Sequence, residues 1–223
     1  MLSRWGIMER RGLMGRITRI ELAAADQLDE ILDVFLSAFK DEATTATWLD
    51  LSSEKLKQVY GVLVKIKAKL YLEAGNPIFV AIDNNTITGL AILKLHQVKT
   101  SKINAVKLVI PKLPKLMVLV PHFMKAVRMG MADATRVPEN LPPNHDVLEA
   151  LAVHPDHQGK KIGRKLLDHA HGYLNDQGSP GVYLMTGDEK NRQIYERFGY
   201  KLMEERDTKS FKSYHMYLSM TGQ

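Results

Sequence analysis

The stretch Leu148 to Leu167, LEALAVHPDHQGKKIGRKLL, decides how this chain is read. Its opening is an apolar run, Leu148 to Val153, followed by His154 and Pro155. Proline has no amide N–H with which to continue a ladder, so the run reads as a buried strand that stops there. Near Ile162 an amphipathic helix begins. Between them, Gln158 to Gly163 forms a tight loop that turns successive backbone N–H groups toward one point at the positive end of that helix, where an anion is stabilised. Lys160, Lys161, Arg164 and Lys165 surround that point with four cationic side chains, which suits a pyrophosphate better than a lone carboxylate.

A second unit lies about thirty residues further on. Val182 to Met185 is a short apolar strand, and Asn191 to Phe198, NRQIYERF, reads as a short helix stopped by Gly199 before a strand from Tyr200 to Glu204. With both units in hand, the phrase LAVHPDHQGKKIG resembles the acetyl-CoA signature of the GNAT superfamily of N-acetyltransferases. The loop pattern there is Gln or Arg, two residues, Gly, one residue, then Gly or Ala. Gln158 and Gly163 match its ends, while Lys161 stands where the central glycine belongs. A positive φ at that position would strain a lysine by roughly 1 kcal/mol or more, part of which a phosphate contact by its ammonium would recover. The phrase YERFGYK is similar to the superfamily's YERFGF element. The resemblance covers about residues 17–220 and is closest over 148–201. Within the superfamily the chain is similar to the subgroup of puromycin N-acetyltransferase and related small-molecule acetylases. That likeness rests on Ala38, Phe39 and Asp41 at the end of the first helix, on a long basic insert, and on LEALAVHPDHQGK.

The resemblance implies an α/β fold of the GNAT type, a central mixed but mostly antiparallel sheet flanked by helices. It also implies acetyl-CoA as co-substrate. Main-chain groups of Leu151 and Val153 would pair with the pantetheine arm as if it were another strand. The loop residues Gln158, Gly159, Lys160, Lys161, Ile162, Gly163 and Arg164 would hold the pyrophosphate. Asn191 would either bond the cofactor's amides or serve as a helix N-cap. Tyr195 would protonate the departing thiolate, and the backbone N–H of Leu151 would stabilise the oxyanion where a bulge leaves it unpaired. Glu149 has two readings, a base for the acceptor amine or an ion-paired carboxylate. Strand alternation places Val147, Glu149 and Leu151 on one side, and a bulge would change that.

Composition sets the frame. With 223 residues, 45% of them hydrophobic and 25% charged, the chain is long enough for one well-buried domain. Zero cysteines exclude disulfides, thiol catalysis and Cys-based zinc sites, and fit a reducing, cytoplasmic setting. The apolar stretch from Leu116 to Met124 is far short of the ~20 residues that span a bilayer. The segment 1–16 carries Arg4, Arg10, Arg11 and Arg16 against Glu9 alone. It reads as a flexible basic extension, with a mitochondrial presequence as the alternative. One acetyltransferase domain is expected over 17–221.

The remaining elements follow from periodicity. Ile17 to Ile20 is a first strand, and Asp26 to Phe39 a helix with Leu28, Ile31, Leu32, Phe35 and Leu36 on one face. Ser53 to Leu72 is a second helix that starts without a full capping box. Pro77 to Ile82 and Thr86 to Lys94 are strands flanking a turn at Asp83-Asn84-Asn85. Ser213 to Met220 closes the sheet, with Tyr214, Met216 and Leu218 alternating against His215 and Tyr217.

An insert over about 95–132 is the oddity. From Asn84 to Ala132 there is no Asp or Glu, whereas Lys94, Lys99, Lys102, Lys107, Lys112, Lys115, Lys125 and Arg128 supply eight positive charges. Pro111, Pro114 and Pro121 argue against one continuous helix, so two short amphipathic helices are expected, with Leu116, Val120, Phe123, Met124 and Val127 facing inward. The basic surface reads as lysines in water over packed helices. The other reading is a preference for an acceptor bearing an acidic group or for an anionic membrane. Nucleic acid is disfavoured despite the net charge of +6, because no recognition motif appears.

Other chemistries lack their residues. His154 and His157 flank a loop proline, and His169 and His171 lie two apart on a helix, so no metal site is expected. No G-x-S-x-G elbow, Walker loop or G-x-G-x-x-G fingerprint occurs. The expected activity is acetyl transfer from acetyl-CoA to a primary amine of a small molecule, by direct attack in a ternary complex. The alternatives are a protein or peptide N-acetyltransferase and a non-catalytic acyl-CoA-binding module.

Overall fold

A computed structural model of the chain describes residues 18–208, 210 and 212–220. The basic segment 1–16, Ile17 and residue 221 lie outside the described residues. Seven strands form one sheet in the order β1-β2-β3-β4-β5-β7-β6, antiparallel except where β4 meets β5.

The first half of the sheet is built locally. Strand β1 (Arg19–Leu22) begins two residues later than the sequence suggested and pairs antiparallel with β2 (Ile78–Asp83). A hairpin joins β2 to β3 (Thr86–Lys94), and its corner residues Asn84 and Asn85 have φ of 52° and 62°. Asparagine tolerates that left-handed backbone, which matches the twist of the flanking strands. Strand β4 (Asp146–Val153) continues the antiparallel ladder on β3.

Helices cover both faces. Helix α1 (Leu28–Phe39), preceded by a 3-10 turn at Ala25–Gln27, packs with α3 (Glu54–Ala74) over Ile78, Val80, Leu90, Ile92, Ala150 and Ala152. Between them lies α2 (Ala43–Trp48), which periodicity did not reveal. It is six residues long, and its start is fixed by the Glu42 carboxylate accepting from the backbone N–H groups of Thr44 and Thr45. Helix α8 (Ile162–Asp176) covers the opposite face, where Ile162, Leu166, Leu167, Ala170 and Leu174 are buried with Phe79, Ala91 and Leu93. It comes so close to β3 that a Cβ on Gly89 would stand 3.0 Å from Ile162 Cγ2, from Leu166 Cδ1 and from the Ala152 carbonyl oxygen.

The second half of the sheet contains β5 (Gly181–Thr186), β6 (Lys201–Asp207) and β7 (Lys212–Ser219), with helix α9 (Glu189–Arg197) crossing between β5 and β6. Strand β7 lies inside this half, between β5 and the edge strand β6. Residues 213–218 are buried without interruption, so the expected alternation of Tyr214, Met216 and Leu218 against His215 and Tyr217 does not divide core from solvent. His215 is satisfied in the interior: one ring nitrogen meets the Tyr183 hydroxyl at 2.7 Å and the other the Ala134 carbonyl at 2.9 Å.

The insert departs most from expectation. Helices α4 (Lys102–Val109), α5 (Leu113–Leu116), α6 (Val120–Arg128) and α7 (Met131–Ala134) follow one another, and 3-10 turns at Ile110–Lys112 and Met117–Leu119 link the first three. Each proline falls at the first or second position of its segment, where a missing N–H costs nothing, so right-handed backbone persists through all three. Val120, Met124 and Val127 are exposed rather than inward-facing, Leu116 is half-buried, and Phe123, though partly exposed, turns inward to stack on Trp48. Leu119 and Ala126 supply the fully buried contacts, against Trp48, Leu49, Leu51 and Val59, with Leu116 and Val118 packed beside them.

Candidate active site

Two local features open a cleft in the middle of the sheet. Strands β4 and β5 pair in parallel only at Asp146 with Val182 and Val147 with Tyr183. Beyond Val147 the two strands part, and the backbone groups that β4 directs away from β3 have no strand partner. The second feature is a bulge in β4. Leu148 stands opposite Leu93 and Ala150 opposite Ile92, which leaves Glu149 as the extra residue. Leu148, Leu151 and Val153 pack toward the α8 face, whereas Ala150 and Ala152 pack toward α1 and α3. Glu149 is turned to α3 as well, so the unbroken alternation expected for Val147, Glu149 and Leu151 does not hold.

The loop between β4 and α8 is formed where the sequence placed it. A short 3-10 turn at Pro155–His157 ends β4, Gly159 has φ of 76°, and Lys161, the residue before α8, has φ of 61° and ψ of 18°. Two left-handed residues bracketing Lys160 bend the loop back over the start of α8, and the first-turn N–H groups of that helix have no intrahelical acceptor. The Gln158 side-chain amide donates to the Val153 carbonyl at 3.3 Å, tying the loop to the strand end. Lys160 Nζ donates to the Asp156 carbonyl at 3.2 Å, and the Arg164 guanidinium lies 5.9 Å from the centre of the Phe198 ring. Ile162 is core, with only its main chain available to the loop.

A cleft of about 400 Å³ runs along this region and brings together Leu151, Val153, Gln158, Gly163, Arg164, Asn191 and Tyr195, with Phe39, Glu42, Ile194 and Phe198 completing its wall. Gly159 and Lys161 line a shallow continuation at the loop. Asn191 is not the N-cap of α9. Asp188 holds that place, its carboxylate accepting from the Lys190 N–H at 2.7 Å, and Asn191 sits one turn before Tyr195 on the cleft side. The Tyr195 ring packs edge-on to Tyr200 at 5.5 Å, and burial pushes its hydroxyl up to about 12, so the group is protonated at neutral pH.

Glu149 lies across Leu151 from that cleft, in a neighbouring one that it shares with Asn191 and Tyr195. Its carboxylate accepts from Lys67 Nζ at 2.6 Å and from the Tyr71 hydroxyl at 2.9 Å. Burial alone would raise its pKa, but the Lys67 charge and the two hydrogen bonds outweigh it and hold the carboxyl below its usual range. Tyr71 is pushed up by burial and by the adjacent carboxylate. Periodicity did not single out either partner of Glu149, although Lys67 and Tyr71 stand one turn apart on α3 and so share a face. Beyond them an apolar pocket of about 370 Å³ is lined by Phe35, Trp48, Tyr60, Tyr71, Phe123 and Ile92, with Glu149 and Lys67 as its charged groups. Trp48 stacks on Phe123 at 5.2 Å and meets Tyr60 edge-on at 5.9 Å. Among the described residues, no group of three or more His, Asp or Glu is arranged to hold a metal ion, and no helix is long and apolar enough to cross a membrane.

Known proteins share this fold. A family model for the acetyltransferase (GNAT) domain matches residues 122–202, from α6 to the start of β6. Among solved structures, the histone acetyltransferase HPA2 and related acetyltransferase of Corynebacterium glutamicum superposes with a TM-score of 0.60 at 18% identity, over 90% of this chain and 94% of that one. A putative acetyltransferase of Salmonella typhimurium, solved with acetyl-CoA, gives 0.56 at 15% identity over 92% and 95%. The PaiA N-acetyltransferase of Thermoplasma acidophilum, in complex with coenzyme A, gives 0.56 at 17% over 91% and 99%. No curated protein matches the chain by sequence.

Proposed function

We propose that this chain, which matches the acetyltransferase (GNAT) domain over residues 122–202, transfers the acetyl group of acetyl-CoA to a primary amine of a small molecule. The observation that carries this reading is the parted edge of β4, which runs directly into a left-handed loop at the start of α8.

The residues present fit acetyl-CoA. Beyond Val147 the unpartnered edge of β4 offers main-chain groups at Leu151 and Val153 to an extended, amide-bearing arm. Gly159 has open space where a Cβ would stand, and the backbone from Gln158 to Gly163 with the charges of Lys161 and Arg164 suits a pyrophosphate. Asn191 adds a side-chain amide on the far wall. When bound, acetyl-CoA supplies an activated thioester carbonyl.

Three groups of the chain then move or hold charge. The Glu149 carboxylate attracts the acceptor's ammonium into the apolar pocket and takes its proton, directly or through water. Its lowered pKa keeps it ionised, so its first service is electrostatic, and Lys67 must share it with the incoming amine. The Leu151 N–H donates to the carbonyl oxygen as charge gathers there. The Tyr195 hydroxyl, protonated and facing the cleft, gives its proton to the departing sulfur.

The roughly 370 Å³ pocket beside Glu149 favours a small acceptor with an apolar or aromatic body over a peptide laid across an open groove. Titration calorimetry with acetyl-CoA and with CoA tests the first half of the proposal, and thiol release across a panel of amines and peptides tests the second. Tyr195→Phe is expected to lower turnover about a hundredfold with acetyl-CoA affinity unchanged. Absence of acetyl-CoA binding would reject the cofactor, an unchanged rate in the variant would remove Tyr195 from the reaction, and turnover of peptides alone would replace the acceptor.

A further inference from the structure

The insert carries a stripe that neither the core nor the cleft uses. Ile103, Val106, Ile110 and Leu113 are 68%, 53%, 57% and 46% exposed. Met117, Val120, Met124 and Val127 continue the series at 60%, 42%, 48% and 59%. The intervals between these positions alternate between three and four residues, about 3.4 per turn on average. A pure α-helix of ~3.6 residues per turn would carry such a series off its face. The two 3-10 turns, at ~3.0 residues per turn, wind the chain back and keep the apolar positions in phase from one segment to the next. Isolated exposed apolar residues are ordinary on a soluble surface, whereas eight of them repeating in helical phase on successive segments mark a contact.

The charge beside the stripe says what the contact is with. The chain has 31 Lys and Arg against 25 Asp and Glu, yet the span from Asn84 to Ala132 has eight basic residues and no acid, so everything outside it is slightly acidic. Lys107, Lys125 and Arg128 each follow a stripe residue directly, and none makes an ion pair with a described residue. The nearby acids belong to α3: Glu73 accepts from Asn104, and Glu54 shares a groove with Lys115. A second copy of the chain would set lysine against lysine along the seam, with no carboxylate in the insert to pair them.

We infer that the α4–α6 face is a docking surface for an anionic lipid bilayer, with the apolar stripe seated at the headgroup boundary and the flanking cations on acidic headgroups. The test is co-sedimentation of the full chain with phosphatidylcholine vesicles and with the same vesicles carrying phosphatidylglycerol, at low and high salt. The expected result is binding to the acidic vesicles only, weakened by salt, and weakened at least about tenfold by Val106→Glu with Met117→Glu. Both positions are exposed and line neither the clefts nor the apolar pocket, so circular dichroism of that variant is expected to match the parent. Neutralising Lys107, Lys125 and Arg128 to Gln is expected to flatten the salt dependence. No binding to acidic vesicles, or equal binding by the double variant, overturns the inference. So does a stripe-dependent dimer in analytical ultracentrifugation.

Discussion

Lys161 is where the loop's chemistry and its backbone conflict. At φ of 61° it occupies left-handed space that costs a residue with a Cβ about 1–2 kcal/mol, and its neighbour Gly159 shows the cheaper solution at φ of 76°. A lysine retained there is consistent with an ammonium that meets phosphate. Lys161→Gly is expected to raise the thermal midpoint, by about 1 kcal/mol of stability or less once the entropy of the freer unfolded chain is counted, and to weaken acetyl-CoA binding. Differential scanning calorimetry reads the first effect and titration calorimetry the second. Tighter binding by the glycine variant would mean that strain outweighs any phosphate contact. Much of the geometry at this scale was legible in the sequence, because the loop, its glycines and the place of Tyr195 on α9 follow from local spacing. The orientation of Glu149 was not: it depends on one extra residue in β4 opposite Ile92 and Leu93, and strand alternation carries no mark of a bulge.

Helix α8 is aimed at the loop by its fit on β3. With the Ile162 and Leu166 side chains of α8 and the Ala152 carbonyl each 3.0 Å from the place a Cβ would occupy, Gly89→Ala crowds the first turns of α8 against the sheet, at a cost of about 1–3 kcal/mol. Urea unfolding is expected to show that loss, and acetyl-CoA affinity is expected to fall with it, since Ile162 and Leu166 are the contacts displaced. An unchanged affinity would show that the loop is positioned by Gln158 and Val153 rather than by the helix. The long elements were readable from their periods, as in α1, α3 and the β2–β3 hairpin. Helix α2 was not, because six residues hold too few turns to show a period. The insert was misread for a different reason. A period reveals that one side of a helix differs from the other, but which side is covered depends on what lies opposite. Trp48, Leu49 and Leu51 meet Leu119, Ala126 and the ring of Phe123 and leave Val120, Met124 and Val127 of α6 outside.

Over the whole molecule, one buried and one half-buried histidine set the response to acid. His171, bonded to the Tyr200 hydroxyl at 2.8 Å, and His215, between Tyr183 and Ala134, are both lowered from the ordinary 6.5, chiefly by burial. A base lowered in the folded state is neutral there while its unfolded counterpart takes a proton, so folding loses stability as pH drops below about 6.5 and on through the folded values. Each such proton is worth up to about 1.4 kcal/mol per pH unit. Glu149, also lowered, adds a loss of the same sign at lower pH. Thermal midpoints measured from pH 7.5 downward are expected to be flat at first and to fall below about 6.5. A midpoint constant to about pH 5 would show that these rings charge without leaving their sites. The short parallel seam at Asp146 and Val147 also bears on the molecule as a whole. Four strands lie on one side of it and three on the other, and two residue pairs are all the ladder they share. A substrate lying in the gap would take the place of the missing rungs, so that each turnover would open and close the connection between two half-sheets, and the resting protein would be the looser form of its own fold.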